Sequence, residues 1–183
     1  MLPTIETARL VLRPWRDADL DPWYEMNADP RVMEFFPATW DRARADAMAA
    51  KMRKRNEDNG YGWWIIEIKG GDLFGGVVEF DDITIETPFT PAKEIGWRLP
   101  VAAWGHGYAT EAARAMLDLG FGTFGCDEIF AMTATPNTRS ERVMQRLGMQ
   151  REPSLDFEHP RIPVGHRLRP HITYRARRQA NNA

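Results

Sequence analysis

Apolar positions along the chain change period several times, and each change marks a new element. Arg9-Leu10-Val11-Leu12-Arg13 predicts a first strand stopped by Pro14. From Asp17 to Asn27 the spacing turns helical, with Asp21-Pro22 tolerated in a first helical turn. Asp29-Pro30 opens a short helical piece through Phe35. Asp41 caps a longer helix to about Asn56, and Asn59-Gly60 marks the turn that follows. From Gly62 strand patterning takes over, and Trp63 to Lys69 and Leu73 to Phe80 form a hairpin around Gly70-Gly71-Asp72. Asp81 to Ala92 holds two prolines and predicts an irregular excursion before a strand from Lys93 to Leu99.

The next helix is the most regular element. Ala109, Ala112, Ala113, Met116, Leu117, Gly120 and Phe121 keep i, i+3, i+4, i+7 spacing, while Thr110, Glu111, Arg114 and Asp118 take the other face. Glu128 to Thr135 has strand character. Pro136-Asn137 introduces a helix carrying Val143, Met144 and Leu147, closed by Gly148. Pro153, Pro160, Pro163 and Pro170 make Glu152 to Pro170 a long loop, and His171 to Arg177 is a last strand. The order predicts an α/β (α+β) domain with a mixed sheet, with residues 1–178 as one unit and 179–183 as a polar tail.

With 183 residues, 43% of them hydrophobic, the chain can bury one substantial core. A net charge of -2 gives no general footprint for nucleic acid. The local run Arg42, Arg44, Lys51, Arg53, Lys54 and Arg55 reads as a solvated helix face. The single cysteine, Cys126, excludes an intrachain disulfide and fits a reducing compartment as a small core filler. No apolar stretch approaches the ~20 residues that span a bilayer, so no membrane association and a cytoplasmic location are expected. His159, His166 and His171 lie among prolines with no compact ligand spacing, so no metal is expected.

Chemistry concentrates where a strand runs into the regular helix, at Trp104-Gly105-His106-Gly107-Tyr108-Ala109. A Gly-rich turn at a helix start aims backbone N–H groups and the positive end of the helix dipole at one point, which suits a phosphate or pyrophosphate. A lone Gly-x-Gly serves a tight strand-to-helix turn equally well. No Lys-Ser/Thr follows the glycines, and Thr110 or Glu111 replaces a third spaced glycine, which disfavours nucleotide-hydrolysing P-loops and Rossmann dehydrogenases.

These residues resemble the GNAT superfamily of acetyl-CoA-dependent N-acetyltransferases, and within it the Rim-type branch of ribosomal-protein-alanine acetyltransferases. The resemblance starts at Thr7-Ala8-Arg9-Leu10-Val11-Leu12-Arg13 and continues through Glu94-Ile95-Gly96-Trp97. It is strongest in Trp104 to Ala112 and in Asn137-Thr138-Arg139-Ser140 through Val143-Met144-Gln145-Arg146-Leu147-Gly148-Met149. It implies a mostly antiparallel sheet flanked by helices, with a splayed strand pair forming the acetyl-CoA cleft.

Carried onto this chain, the resemblance puts the pyrophosphate loop on Trp104, Gly105, His106, Gly107, Tyr108 and Ala109, with Thr110 beside it. Trp104 stands where the superfamily usually has Gln or Arg. The pantetheine arm would pair with backbone at Trp97, Arg98 and Leu99, and a backbone amide at or beside Leu99 would polarise the thioester carbonyl. Asn137 and Ser140 match positions that contact the pantetheine near the thiol; an N-cap and a first-turn hydroxyl account for them equally. Many members carry a proton-donating tyrosine where this chain has Met144, which leaves Ser140 or solvent as the acid.

An α-amino group ordinarily titrates at about 7.7–8.0 against about 10.4 for lysine, so an N-terminal acceptor needs only a weak base. Glu94 matches the general-base glutamate of some members and is the first candidate; Glu79 on the neighbouring strand is the second. A strand-end carboxylate facing solvent or an arginine is the structural alternative for both. The implied reaction is direct acetyl transfer from acetyl-CoA to a primary amine, with a protein N-terminus as the first acceptor class. A small amine or aminoglycoside-like acceptor, or a non-catalytic CoA-binding module, are the alternatives. Either a monomer or a homodimer is compatible.

Overall fold

The computed structural model describes residues 2–71 and 73–178; the expected polar tail at 179–183 and Asp72 of the hairpin turn lie outside the described residues. The strands are β1 (Ile5–Glu6), β2 (Leu10–Arg13), β3 (Gly62–Ile68), β4 (Leu73–Asp82), β5 (Lys93–Arg98), β6 (Glu128–Ala134), β7 (Gln150–Arg151), β8 (Phe157–Glu158) and β9 (Pro170–Arg177). The helices are α1 (Leu20–Ala28), α2 (Arg42–Asn59), α3 (Tyr108–Gly122) and α4 (Thr138–Arg146). One sheet runs in the order β1-β2-β3-β4-β5-β6-β9-β7, with β8 also paired to β9.

Every registered pair in this sheet is antiparallel except β5–β6. A parallel neighbour requires a crossover, and α3 supplies it between β5 and β6. The two strands register at a single pair, Glu94↔Phe130, so the sheet is open alongside Ile95–Arg98.

Each sheet face has its own core. On one, Trp64, Val78, Phe80 and Ile95 pack with Ala112, Ala113 and Met116 of α3 and with Met144 and Leu147 at α4. On the other, Ile65 and Val77 pack with Trp15, Trp23, Met26, Trp40 and Met52 around α1 and α2. Strand alternation sends Trp64 into the α3 core with no exposure, and Trp63 to the α1–α2 face. Trp23 meets Trp15 and Trp40 edge-on at 5.3 and 5.6 Å, which fixes α1 against the start of α2.

Three local expectations change. Residues 30–35 form turns and bends instead of a helix: the Asp29 carboxylate accepts from Arg31 N at 2.8 Å and its carbonyl from Val32 N and Met33 N, and no further helical turn follows. β4 extends to Asp82, two residues past the expected Phe80, since Asp81 and Asp82 pair with Glu94 and Lys93. The loop from Glu152 contributes β8, and β9 starts at Pro170. The two-residue strands β1, β7 and β8 are too short to carry a period.

The cationic face of α2 is largely paired: Arg42 with Asp21 and Asp46, Arg53 with Asp17, Lys54 with Asp58, and Arg55 across to Asp81. Cys126 is half-buried against the α3 core, and burial raises its thiol pKa. Among the described residues no helix is long and apolar enough to cross a membrane, and no group of three or more metal-ligating side chains comes together.

Candidate active site

At the open end of the β5–β6 gap, the chain turns through Gly105 and Gly107, both at φ 80°, into α3. That left-handed conformation is why glycine stands at both positions; neither is short of space. Gly107 caps α3 with no side-chain partner for the first-turn N–H groups, and Gly105, His106 and Gly107 are exposed. Just inside, the Thr110 hydroxyl is buried without a hydrogen-bond partner. Free amides, the helix dipole and an unpartnered hydroxyl together fit a phosphate group.

An open groove of about 530 Å³ continues from this turn, lined by Arg9, Thr110, Arg114 and Arg146 as well as the glycines. Glu111 holds its wall. Its carboxylate accepts from Thr7 Oγ1 at 2.6 Å, Arg9 N at 2.8 Å and Arg9 Nε at 2.7 Å, and Arg9 Nη1 donates to the His106 carbonyl at 2.8 Å. The charge of Arg9 therefore sits beside the turn. Periodicity put Arg114 on the wet face of its helix but carried no sign that it meets Arg9 and Arg146, which lie 105 and 32 positions away along the chain.

The remaining side chains of the turn also make contacts within the protein. Trp104 donates from Nε1 to the Leu99 carbonyl at 2.9 Å and packs against both cores, with the Arg139 guanidinium 4.5 Å from its ring. Tyr108 stacks on His106 at 5.4 Å and under Arg9 at 4.9 Å. Ala109 packs on the α3 core. Along the gap, Trp97 of β5 leans on the α3 core and Leu99 just past the strand is buried, whereas the Arg98 side chain crosses to the α1–α2 face.

Across the gap, Asn137 is the N-cap of α4, accepting from Ser140 N at 3.2 Å. Its Nδ2 donates to Thr133 Oγ1 and to Ser140 Oγ, both at 3.0 Å. The Ser140 oxygen is thus an acceptor already, which leaves its proton to be donated elsewhere. Met144 is fully enclosed in the core.

On the α1–α2 face, β4 and β5 align Glu79 with Gly96, and Asp81 with Glu94. Neither Glu79 nor Glu94 has a hydrogen bond or cationic partner among the described residues, whereas Asp81 is paired with Arg55. Burial lifts Glu94 to about 8; Asp81 adds repulsion and Arg55 offsets part of it. Glu79 is raised well above the carboxylate range, first by burial and then by Glu94 and Asp81, against the attraction of Arg98 and Arg55. Glu79 lies beside the unpaired stretch of β5, and Glu94 lies at the last registered pair.

The acetyltransferase (GNAT) domain family matches residues 9–150. The chain belongs to the GNAT acetyltransferase family. YnaD of Bacillus subtilis, described as an uncharacterized N-acetyltransferase, is 32% identical over 149 residues, 81% of this chain and 83% of its own. A GNAT-family acetyltransferase structure from Bacillus anthracis superimposes with a TM-score of 0.79 at 26% identity, covering 96% of this chain and 98% of its own. RimL, a ribosomal alpha-N-protein acetyltransferase solved with coenzyme A, shares the fold with a TM-score of 0.75 at 15% identity, covering 96% and 98%. This GNAT protein is an acetyl-CoA-dependent N-acetyltransferase, and the free amides, Thr110 and Arg9 at the turn fit the coenzyme's phosphates.

Proposed function

We propose that this GNAT enzyme acetylates the N-terminal amine of a protein or peptide by direct attack, with residues 1–178 acting as one catalytic unit. The observation that carries the reading is the break in the sheet beyond Glu94↔Phe130. It lies between a phosphate-binding turn at one end, the Asn137–Ser140 pair across from it, and two unpaired carboxylates on the opposite face. A thioester would lie in the break with its sulfur toward Ser140, and an amine would approach from the α1–α2 side.

Bound acetyl-CoA supplies the acetyl group as an activated thioester. The amides of Gly105, His106 and Gly107, with Thr110, hold the pyrophosphate, and Trp97, Arg98 and Leu99 offer backbone groups to the pantetheine arm. Glu79 takes the proton of the incoming ammonium, directly or through water, and shares its charge with Glu94. Of the two candidates from sequence, Glu79 stands nearer the break, which favours it over Glu94 for first contact. Burial holds both carboxylates above the usual range, Glu94 at about 8, which brings the pair toward an α-ammonium at about 7.7–8.0 and lowers the cost of the proton transfer. As the carbon–nitrogen bond forms and the carbon–sulfur bond breaks, Ser140 gives its proton to the departing sulfur, the nitrogen gives up its second proton to water, and water returns a proton to Ser140.

Mass spectrometry of products from a library of peptides and small amines supplied with acetyl-CoA tests the reading. Acetylated peptide N-termini are expected. Turnover confined to small amines would replace the acceptor class, and coenzyme binding without any product would make the protein a CoA-binding module.

A further inference from the structure

Arg98 is the charged residue whose surroundings the transfer chemistry leaves unexplained. Its side chain leaves β5 on the α1–α2 face and lodges among aromatic rings, with its guanidinium 4.1 Å from Phe36, 4.9 Å from Trp40 and 5.7 Å from Trp23. Nη1 donates to Oδ1 of the fully buried Asn27. Nε is buried with no partner. No carboxylate lies within ion-pairing distance of Arg98 among the described residues, although the other strand arginines on this face, Arg13 and Arg175, are each paired.

A desolvated cation without an ion-pair contact is costly, and burial lowers the Arg98 pKa to about 10, the more distant attraction of Glu79 offsetting part of this and Arg44 adding to it. Arg44 has no carboxylate partner among the described residues either, and its guanidinium sits 5.1 Å from the same Trp40 ring. Two unpaired guanidiniums therefore share one indole. The acids on this side are otherwise engaged or distant: Asp41 caps α2, Glu34 pairs with Arg139, and Glu79 is drawn over Gly96.

We propose that Arg98 selects the acceptor by pairing with a carboxylate a few bonds from the reacting amine, so that preferred N-termini carry Asp or Glu at the second position. The geometry gives the spacing. Arg98 lies two residues beyond Gly96 on the same face, about 7 Å along the strand. An amine at Glu79 and a carboxylate at Arg98 are then separated by roughly the reach of an N-terminal residue and its neighbour's side chain. Aromatic walls strengthen the pairing by excluding water and by holding the guanidinium in one orientation.

This inference rests on the N-terminal reading of the site, and the two fail differently. Peptides identical except for Asp, Asn or Lys at position two, together with free aspartate and its diamide, are assayed for CoA release with acetyl-CoA. The wild type is expected to favour the Asp peptide over the Asn peptide by tenfold or more in kcat/KM. R98M is expected to bring that ratio near one whatever its absolute rate. N27D, which places a carboxylate of this chain against Nη1, is expected to do the same. A wild-type ratio near one overturns the proposal without any variant, and so does a ratio that survives both substitutions. Peptides acetylated at equal rates overturn the proposal and leave the N-terminal reading standing, whereas turnover confined to free aspartate and its diamide overturns the N-terminal reading.

Discussion

The Glu79 carboxylate lies directly over the α carbon of Gly96, so close that a Cβ added there would overlap Oε1. Only glycine lets the acid reach this position beside the unpaired edge of β5. In Gly96→Ala the Glu79 side chain must swing aside, and because it is a flexible chain end the fold absorbs the change. A loss of about tenfold or more in kcat is expected, with acetyl-CoA affinity within a few-fold of wild type. Steady-state kinetics alongside calorimetry checks it, and unchanged kcat would remove Glu79 from contact with the amine.

Thr110 gives a prediction with opposite signs for stability and binding. Its hydroxyl is buried and unpartnered, so Thr110→Val removes an unsatisfied group at nearly constant volume. The apo protein should melt at the same temperature or higher. Coenzyme affinity should fall about 10- to 100-fold, as expected for losing a hydrogen bond to a charged group. A thermal melt and a CoA titration on the same sample decide it.

Ser140→Ala should reduce turnover at saturating acetyl-CoA by about 10- to 100-fold, at the low end for a general acid because a thiol with a reference pKa of about 8.5 asks for little driving force. Coenzyme binding should weaken less than turnover. Asn137→Ala should be worse in both respects, since it removes the α4 cap together with the donor that orients the serine. Equal rates for wild type and Ser140→Ala would assign the proton to solvent.

Glu94 sets a pH dependence with a definite sign. Its folded pKa of about 8 lies above the ordinary carboxylate value. The stability it contributes as a neutral acid is therefore complete below about pH 4.5 and lost as pH rises through 8. Relative to wild type, Glu94→Gln should gain melting temperature progressively between those limits, hold the gain above pH 8, and show none at pH 4. Melting curves across that range check it. Wild-type activity should rise with pH toward 8 as Glu94 and the acceptor's α-ammonium lose their protons.

Much of this site was readable before any tertiary structure because it is local. The Gly105–Gly107 turn, the α3 pattern and the Asn137 cap each lie within a few residues of chain, and hydrogen bonds or φ values there depend on immediate neighbours. The stretch from Asp29 to Phe35 misled for the same reason: aspartate before proline marks a helix start, and the first-turn bonds to Asp29 do form, but the helix does not propagate beyond them.

Sequence patterning determined the longer elements, their order and the glycine turn before α3, since these follow from steric and hydrogen-bonding rules acting over one or two turns of chain. Tertiary structure alone decided that Glu79 rests on Gly96, that Arg98 turns from the cofactor edge into an aromatic cage with Asn27, and that Arg9 reaches Glu111. Those relationships join residues 17, 71 and 102 positions apart. They exist because strand pairing and the two cores bring distant segments together, which no local pattern encodes.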